Sequence, residues 1–243
     1  MPRWSCLGFL FSLLLCLDGG LWAIDWPISP SDVSYPIGNS YGEYQYYGGE
    51  PYYHPGIDIM APALARARAE AAARGLVNAG FTLGELERMP FGDGQFTGAA
   101  CRFSFHHFVN PGRVFAEMAR AVGPRGWMII ADMTASEDAA KAALHNELER
   151  LSDPTHARTL AASEFEGMFA AHGFRTVMKI ARDARTTVDE WIGFNHTPPD
   201  DAARIRELIE GSLDGDRAGL RAMRDGDTIR TIRTSVTFVI ERE

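Results

Sequence analysis

Cysteine is scarce in this 243-residue chain: Cys6, Cys16 and Cys101 are too few and too scattered for a disulfide framework or a cysteine-built zinc site. A positive balance is also lacking. Against 32 acidic residues stand 24 basic ones, for a net charge of -8, so no general field draws the chain to nucleic acid or anionic lipid. No apolar run reaches the roughly 20 residues that span a bilayer, and no internal repeat is visible, which excludes a stable membrane span and a solenoid. Tyrosine disappears after Tyr53, and the first 60 residues carry one basic residue, Arg3. What remains is an ordinary globular composition, 46% hydrophobic and 23% charged, of a size for one α/β domain with at most a small appendage.

The tyrosine and arginine distributions divide the chain near residue 58. Arg3, the apolar run Leu7 to Leu17, Asp18, two glycines and Ala23 have the layout of a signal peptide over residues 1–23. A buried N-terminal helix is the plainer alternative. Residues 24–57 form a leader rich in Gly, Pro, Tyr, Asn and Ser, which reads as loop and turn.

Within the leader, His54 and Asp58 flank a Pro-Gly turn that lets an imidazole and a carboxylate converge on one Zn²⁺. With its Tyr- and Gly-rich approach, this H-x-x-x-D segment resembles the lysostaphin-type zinc endopeptidases. That resemblance implies His54 and Asp58 as metal ligands and peptidoglycan as substrate. The later H-x-H that completes the family's site does not occur, so an inert remnant is the alternative to zinc hydrolysis.

From Met60 onward helices and strands alternate. Ala63 to Arg74, stopped by Gly75, predicts a helix, and Val77 to Leu83 and Thr97 to Phe103 predict strands. Val114 to Val122 is helical, Trp127 to Ala131 a buried strand, and Glu137 to Leu151 a helix. Ser163-Glu-Phe-Glu166 and Thr187-Val-Asp-Glu190 read as capping boxes. Asp200 to Glu210 is an amphipathic helix, and Thr234 to Glu241 a closing strand. Such alternation predicts a mainly parallel sheet with helices on both faces.

Four stretches in this order, Gly56-Ile-Asp58-Ile59-Met, Leu83-Gly-Glu85-Leu86 through Pro90-Phe-Gly-Asp-Gly-Gln-Phe96, Cys101-Arg102-Phe-Ser-Phe-His106-His107-Phe, and Gly123-Pro-Arg-Gly-Trp through Asp132, carry a second resemblance. They are similar to the class I S-adenosylmethionine-dependent methyltransferases of the small-molecule and quinone type, over residues 58–243. The resemblance implies an α/β, Rossmann-like methyltransferase sheet, S-adenosylmethionine as cofactor and a small-molecule methyl acceptor as partner.

Residue by residue, it implies that Asp58 accepts from the ribose hydroxyls with Ile59 beside it, that Glu85 takes the adenine amino group, and that Leu86 covers the adenine face. Arg102 lines the pocket, and His106 or His107 orients or deprotonates the acceptor. Plainer roles are a carboxylate at a helix N-terminus for Asp58, core packing for Leu86, and helix capping or stacking on Phe105 for the histidines. The family's opening strand, helix and G-x-G-x-G turn find no counterpart upstream of Asp58. The expectation is therefore a truncated or chimeric transferase with impaired cofactor binding, with a non-catalytic α/β module as a further alternative. Its location is open: cytoplasmic if the methyltransferase body decides, exported if the leader acts as a signal.

Overall fold

The computed structural model describes residues 84–243 throughout, with Ala69, residues 72–75, Gly80 and Thr82 ahead of them. It adds the backbone of Ala79 and of four N-terminal strands. Those strands are β1 (Ser12–Leu17), β2 (Gly20–Asp25), β3 (Tyr44–Tyr47) and β4 (Glu50–Tyr53). Ala79–Gly80 forms the short β5, and β6 spans Phe96–Arg102. The rest of the chain runs α1 (Pro111–Ala121), β7 (Val122–Thr134), α2 (Ala139–Ser152), α3 (Ala162–Ala171), β8 (Phe174–Thr187), α4 (Val188–Phe194), α5 (Pro199–Glu210), β9 (Met223–Asp225) and β10 (Thr228–Arg242).

One sheet has the order β5-β2-β1-β6-β7-β10-β8 with β9 alongside β10, and β3 and β4 pair separately. This is the expected Rossmann-like α/β architecture, with two differences. Among the described strands only β6/β7 and β2/β5 are parallel; β10 runs antiparallel to both β7 and β8, and β1 antiparallel to β6. Hydrophobic alternation marks which residues face the core, not which way a strand runs, so it could not reveal β10's reversal. The second difference is at the edge of β6, where the opening strand was expected to be missing or replaced by the leader of residues 24–57. There β1, from the run read as a signal segment, takes that place by pairing Ser12 to Cys16 with Arg102 to Gly98.

Sequence and packing agree closely at the β6/β7 seam. Gly98 lies opposite Trp127, and a Cβ on Gly98 would sit 2.6 Å from the indole, so no larger residue fits. Pro111 opens α1 at its first turn, where a missing N–H costs nothing, and the helix buries Val114, Phe115 and Met118 on one face. Phe115 is fully buried with its ring 5.1 Å from Phe169 and 5.9 Å from Phe174. Phe169 and Phe165, one turn apart on α3, reach Phe238 of β10 at 5.3 and 5.5 Å.

The capping box at Thr187 forms as read: Thr187 N–H donates to Glu190 and Glu190 N–H donates to the Thr187 hydroxyl. The box at Ser163 does not. Helix α3 starts two residues earlier, with the Glu164 carboxylate accepting from Ala161 N–H, while the Ser163 hydroxyl donates to Glu137. A second core lies under α2, α4 and α5, built on Leu148, Val188, Trp191, Ile205 and Ile209.

Candidate active site

The parallel pair β6/β7 brings two chain ends together. Arg102 stands opposite Ala131, and Phe103 N–H continues the ladder by donating to the Ala131 carbonyl at 2.7 Å. Phe103 then takes a positive φ of 50°, which turns the chain sharply into a 3₁₀ turn over Phe105–His107. That turn sits against Asp132, one residue beyond Ala131 and 1% exposed.

The Asp132 carboxylate is surrounded by donors. Its Oδ2 accepts from the backbone N–H groups of Phe105 at 2.7 Å and His106 at 3.3 Å, and its Oδ1 from Met133 N–H at 2.7 Å. His106 Nδ1 lies 2.5 Å from the same Oδ1. Since an ionised carboxylate only accepts, the imidazole carries its proton on Nδ1. Burial alone lowers the basicity of His106, but the adjacent charge and hydrogen bond of Asp132 outweigh it and hold the pKa above its ordinary value.

Further imidazoles crowd this pair. His107 is 4.2 Å from His106 between ring centroids, and its Nδ1 donates to the Thr155 carbonyl at 3.1 Å. Burial and then the His106 charge push its pKa down to about 4. His156 stacks on His106 at 5.5 Å and donates from Nε2 to Asn146 Oδ1 at 3.0 Å; burial above all brings its pKa to about 3. Beyond it, Glu149 meets His145 Nε2 at 3.3 Å and Arg233 Nε at 2.8 Å. The Arg233 charge and the His145 hydrogen bond overcome burial to keep Glu149 ionised. The Arg233 guanidinium lies 3.7 Å over the Trp191 ring.

The sequence-derived candidates fall in three groups. His106 and His107 come together with Asp132, and neither caps a helix. Glu85 is exposed in a tight turn bridged to Arg88, Leu86 is half-buried against the main core, and Arg102 is exposed with its guanidinium 4.6 Å over Phe103. Asp58, Ile59 and the zinc candidate His54 lie outside the described residues. Among the described residues, no cluster of three or more His, Cys, Asp or Glu side chains is arranged to hold a metal. Cys101 is buried, and burial followed by the Asp132 charge raises its thiol pKa, so it is no nucleophile. Sequence reasoning missed the role of Asp132, although a carboxylate ending an otherwise apolar strand was a visible signal. It had no means of finding His156, Asn146 or Arg233.

Residues 37–130 match a family described as a methyltransferase domain. Over those residues the chain is similar to a methyltransferase domain. An uncharacterized methyltransferase of Bacillus subtilis (strain 168), YcgJ, is 31% identical over 152 residues, which cover 62% of this chain and 59% of that relative's length. The crystal structure of YcgJ superposes with a TM-score of 0.69 at 26% identity, covering 79% of this chain and 84% of the other. A candidate methyltransferase from Bacillus halodurans C-125 shares the fold, with a TM-score of 0.69 at 21% identity over 75% of this chain and 79% of its own. The methyltransferase match begins at residue 37, inside the segment that sequence reading assigns to the leader. Among the described residues, no helix is long and apolar enough to cross a membrane.

Proposed function

We propose that this methyltransferase domain moves a methyl group from S-adenosylmethionine to a small-molecule acceptor bearing an ionisable proton. The observation that carries the reading is the buried His106–Asp132 pair at the carboxyl ends of two adjacent parallel strands, where open α/β sheets bind their ligands.

The residues present suit the cofactor's chemistry. Glu85 offers an exposed carboxylate as acceptor for the adenine amino group. Its turn is held in place because Gly84 packs on Pro90 so closely that a Cβ would come within 2.8 Å of the ring. Arg102, an exposed cation at the end of β6, matches the carboxylate of the cofactor's amino acid end. Leu86 offers apolar surface beside Glu85, and Asp58 with Ile59 is assigned to the ribose by resemblance. When bound, the sulfonium supplies the methyl group; the chain's own residues align the acceptor and take its proton.

The reading includes weakened cofactor binding, because no G-x-G-x-G stands upstream of Asp58 to let backbone approach the methionine end. Calorimetric titration of the full chain with S-adenosylmethionine and S-adenosylhomocysteine tests it. Saturable one-to-one binding is expected, weakened about tenfold or more by Glu85→Ala or Arg102→Ala, each tenfold step being about 1.4 kcal/mol. A folded sample that binds neither compound refutes the reading. For the acceptor, transfer of a labelled methyl group to a panel of phenols, quinols and amines gives the class.

A further inference from the structure

We infer that a second copy of this chain pairs with the outer edge of β8, strand against antiparallel strand, with Ala181 on the two-fold axis. This assembly is independent of the methyltransferase reading. Strand β8 runs the length of Phe174–Thr187 at the end of the sheet, bonded to β10 along one side, and no described strand pairs with its other side. Such an edge is a template for another strand. Its middle also carries apolar surface: Val177, Met178 and Ile180 are 44, 52 and 42% exposed, so large apolar side chains left in water crowd into four consecutive positions. Charges on an edge ordinarily keep a second copy away. Here Arg175, Lys179, Arg182 and Arg185 share the strand with one acid, Asp183, so the register decides whether they repel or attract.

From Met178 to Thr187 the strand follows β10 without a bulge, and odd and even residues keep to opposite faces. A two-fold axis perpendicular to the sheet sets residues of the same face opposite one another. Centred on Arg182, that residue would face its own copy and Lys179 would face Arg185. Centred on Asp183, two carboxylates would meet. Centred on Ile180, neither Lys179 nor Asp183 would find an opposite charge. Centred on Ala181, Lys179 of each copy lies opposite Asp183 of the other, and the charges attract at both places.

Neither residue has to give up its present partner. Lys179 Nζ lies 3.0 Å from Glu166 of α3, and Asp183 accepts from both terminal nitrogens of Arg221 at 2.7 and 2.8 Å. Pairing joins these into a row, Glu166, Lys179, Asp183, Arg221, whose signs alternate across the interface. On the opposite face the two copies of Ile180 become diagonal neighbours beside the axis. Met178 lies opposite the small side chain of Ala184, and the exposed apolar surface leaves water.

Sedimentation equilibrium of the full chain should give a mass twice its 26.8 kDa. Lys179→Glu and Asp183→Lys each set like charges opposite at both cross-strand places, and each alone should weaken self-association at least about tenfold. An equimolar mixture of the two variants should recover it to within about threefold, because the glutamate introduced in one meets the lysine introduced in the other, and the unaltered residues meet as before. With Cys6→Ser and Cys16→Ser as background, Ala181→Cys should oxidise readily to a covalent dimer, since directly opposed Cα atoms are about 4.5–5.5 Å apart. Thr176→Cys should not, because its two copies would stand about 33 Å apart.

A chain that stays monomeric up to about 100 μM, a concentration at which even weak specific pairing is populated, overturns the inference. So does an assembly larger than a dimer, a mixture of charge variants that recovers nothing, or Ala181→Cys that cross-links no faster than Thr176→Cys. If a charge variant loses its cooperative melting transition, the cross-link decides alone, since Ala181 is exposed and its replacement removes no contact between charges.

Discussion

The two hydrophobic cores among the described residues are built on different principles. The sheet core is dry and aromatic, with Phe115, Phe165, Phe169 and Phe238 in edge and tilted contacts and little polar surface among them. The core under α2, α4 and α5 is aliphatic with one tryptophan, and it borders the buried ion pair of Glu149 and Arg233, with His145 beside Glu149. Rigidity of the sheet thus comes from packing, which tolerates changes of pH and salt. The cap depends on charges balancing each other, which tolerates neither loss of a partner nor protonation. The histidine cluster lies at the boundary and shares both properties.

The contrast can be broken at several points, from the largest expected effect to the smallest. Truncation of the fully buried Phe115 to Ala should cost about 4 kcal/mol of unfolding free energy, measured by urea denaturation, with no change between pH 7 and 5 in the size of that cost. On the cap side, Arg233→Ala leaves Glu149 buried without its main counter-charge and should cost about 3 kcal/mol. The double variant Arg233→Met with Glu149→Gln should recover most of it, because two apolar or neutral groups replace a broken pair.

Acidification should act at the boundary. The pKa of His156 is near 3 in the folded chain, so between pH 6.5 and 5 the unfolded chain binds its proton and the folded chain does not. Stability should then fall by about 1.5 kcal/mol, with His107, near 4, adding a loss of the same sign. His106 has a raised pKa, so its contribution is complete below the unfolded value and is lost only as pH rises through the folded one. It offers no compensation in the acid window. Denaturation curves at the two pH values check the sign, and His156→Gln should flatten the difference. The smallest effect belongs to the outer cap: Thr187→Ala removes an N-cap acceptor and should cost about 1 kcal/mol, without altering the histidine titrations.

Most helices and the strands β6, β7 and β10 were legible because their apolar faces are periodic and their ends carry Pro, Gly or capping residues. The Rossmann-like class followed from that alternation. Strand β8 was not legible. It lies at the sheet edge, and Arg175, Lys179, Arg182, Asp183 and Arg185 leave Val177, Met178 and Ile180 with no clean period. Ser163 and Glu166 had the spacing of a capping box, but Glu164, two residues earlier, bonds the N-cap N–H of Ala161 and Ser163 found Glu137 instead. At the site, the His106–His107 doublet stood out, whereas its partners lie 26 to 50 positions away and meet it only after the sheet has formed. Local spacing cannot carry such contacts.

The grip of Ala157 and Arg158 on the His106 carbonyl has a consequence for how a chain of this fold could diversify. The segment between Asp153 and Ala161 behaves as a bracket of set length: one residue inserted or deleted would drag the imidazole off Asp132. Change here would therefore have to come by exchanging side chains along the bracket, leaving its number of residues untouched.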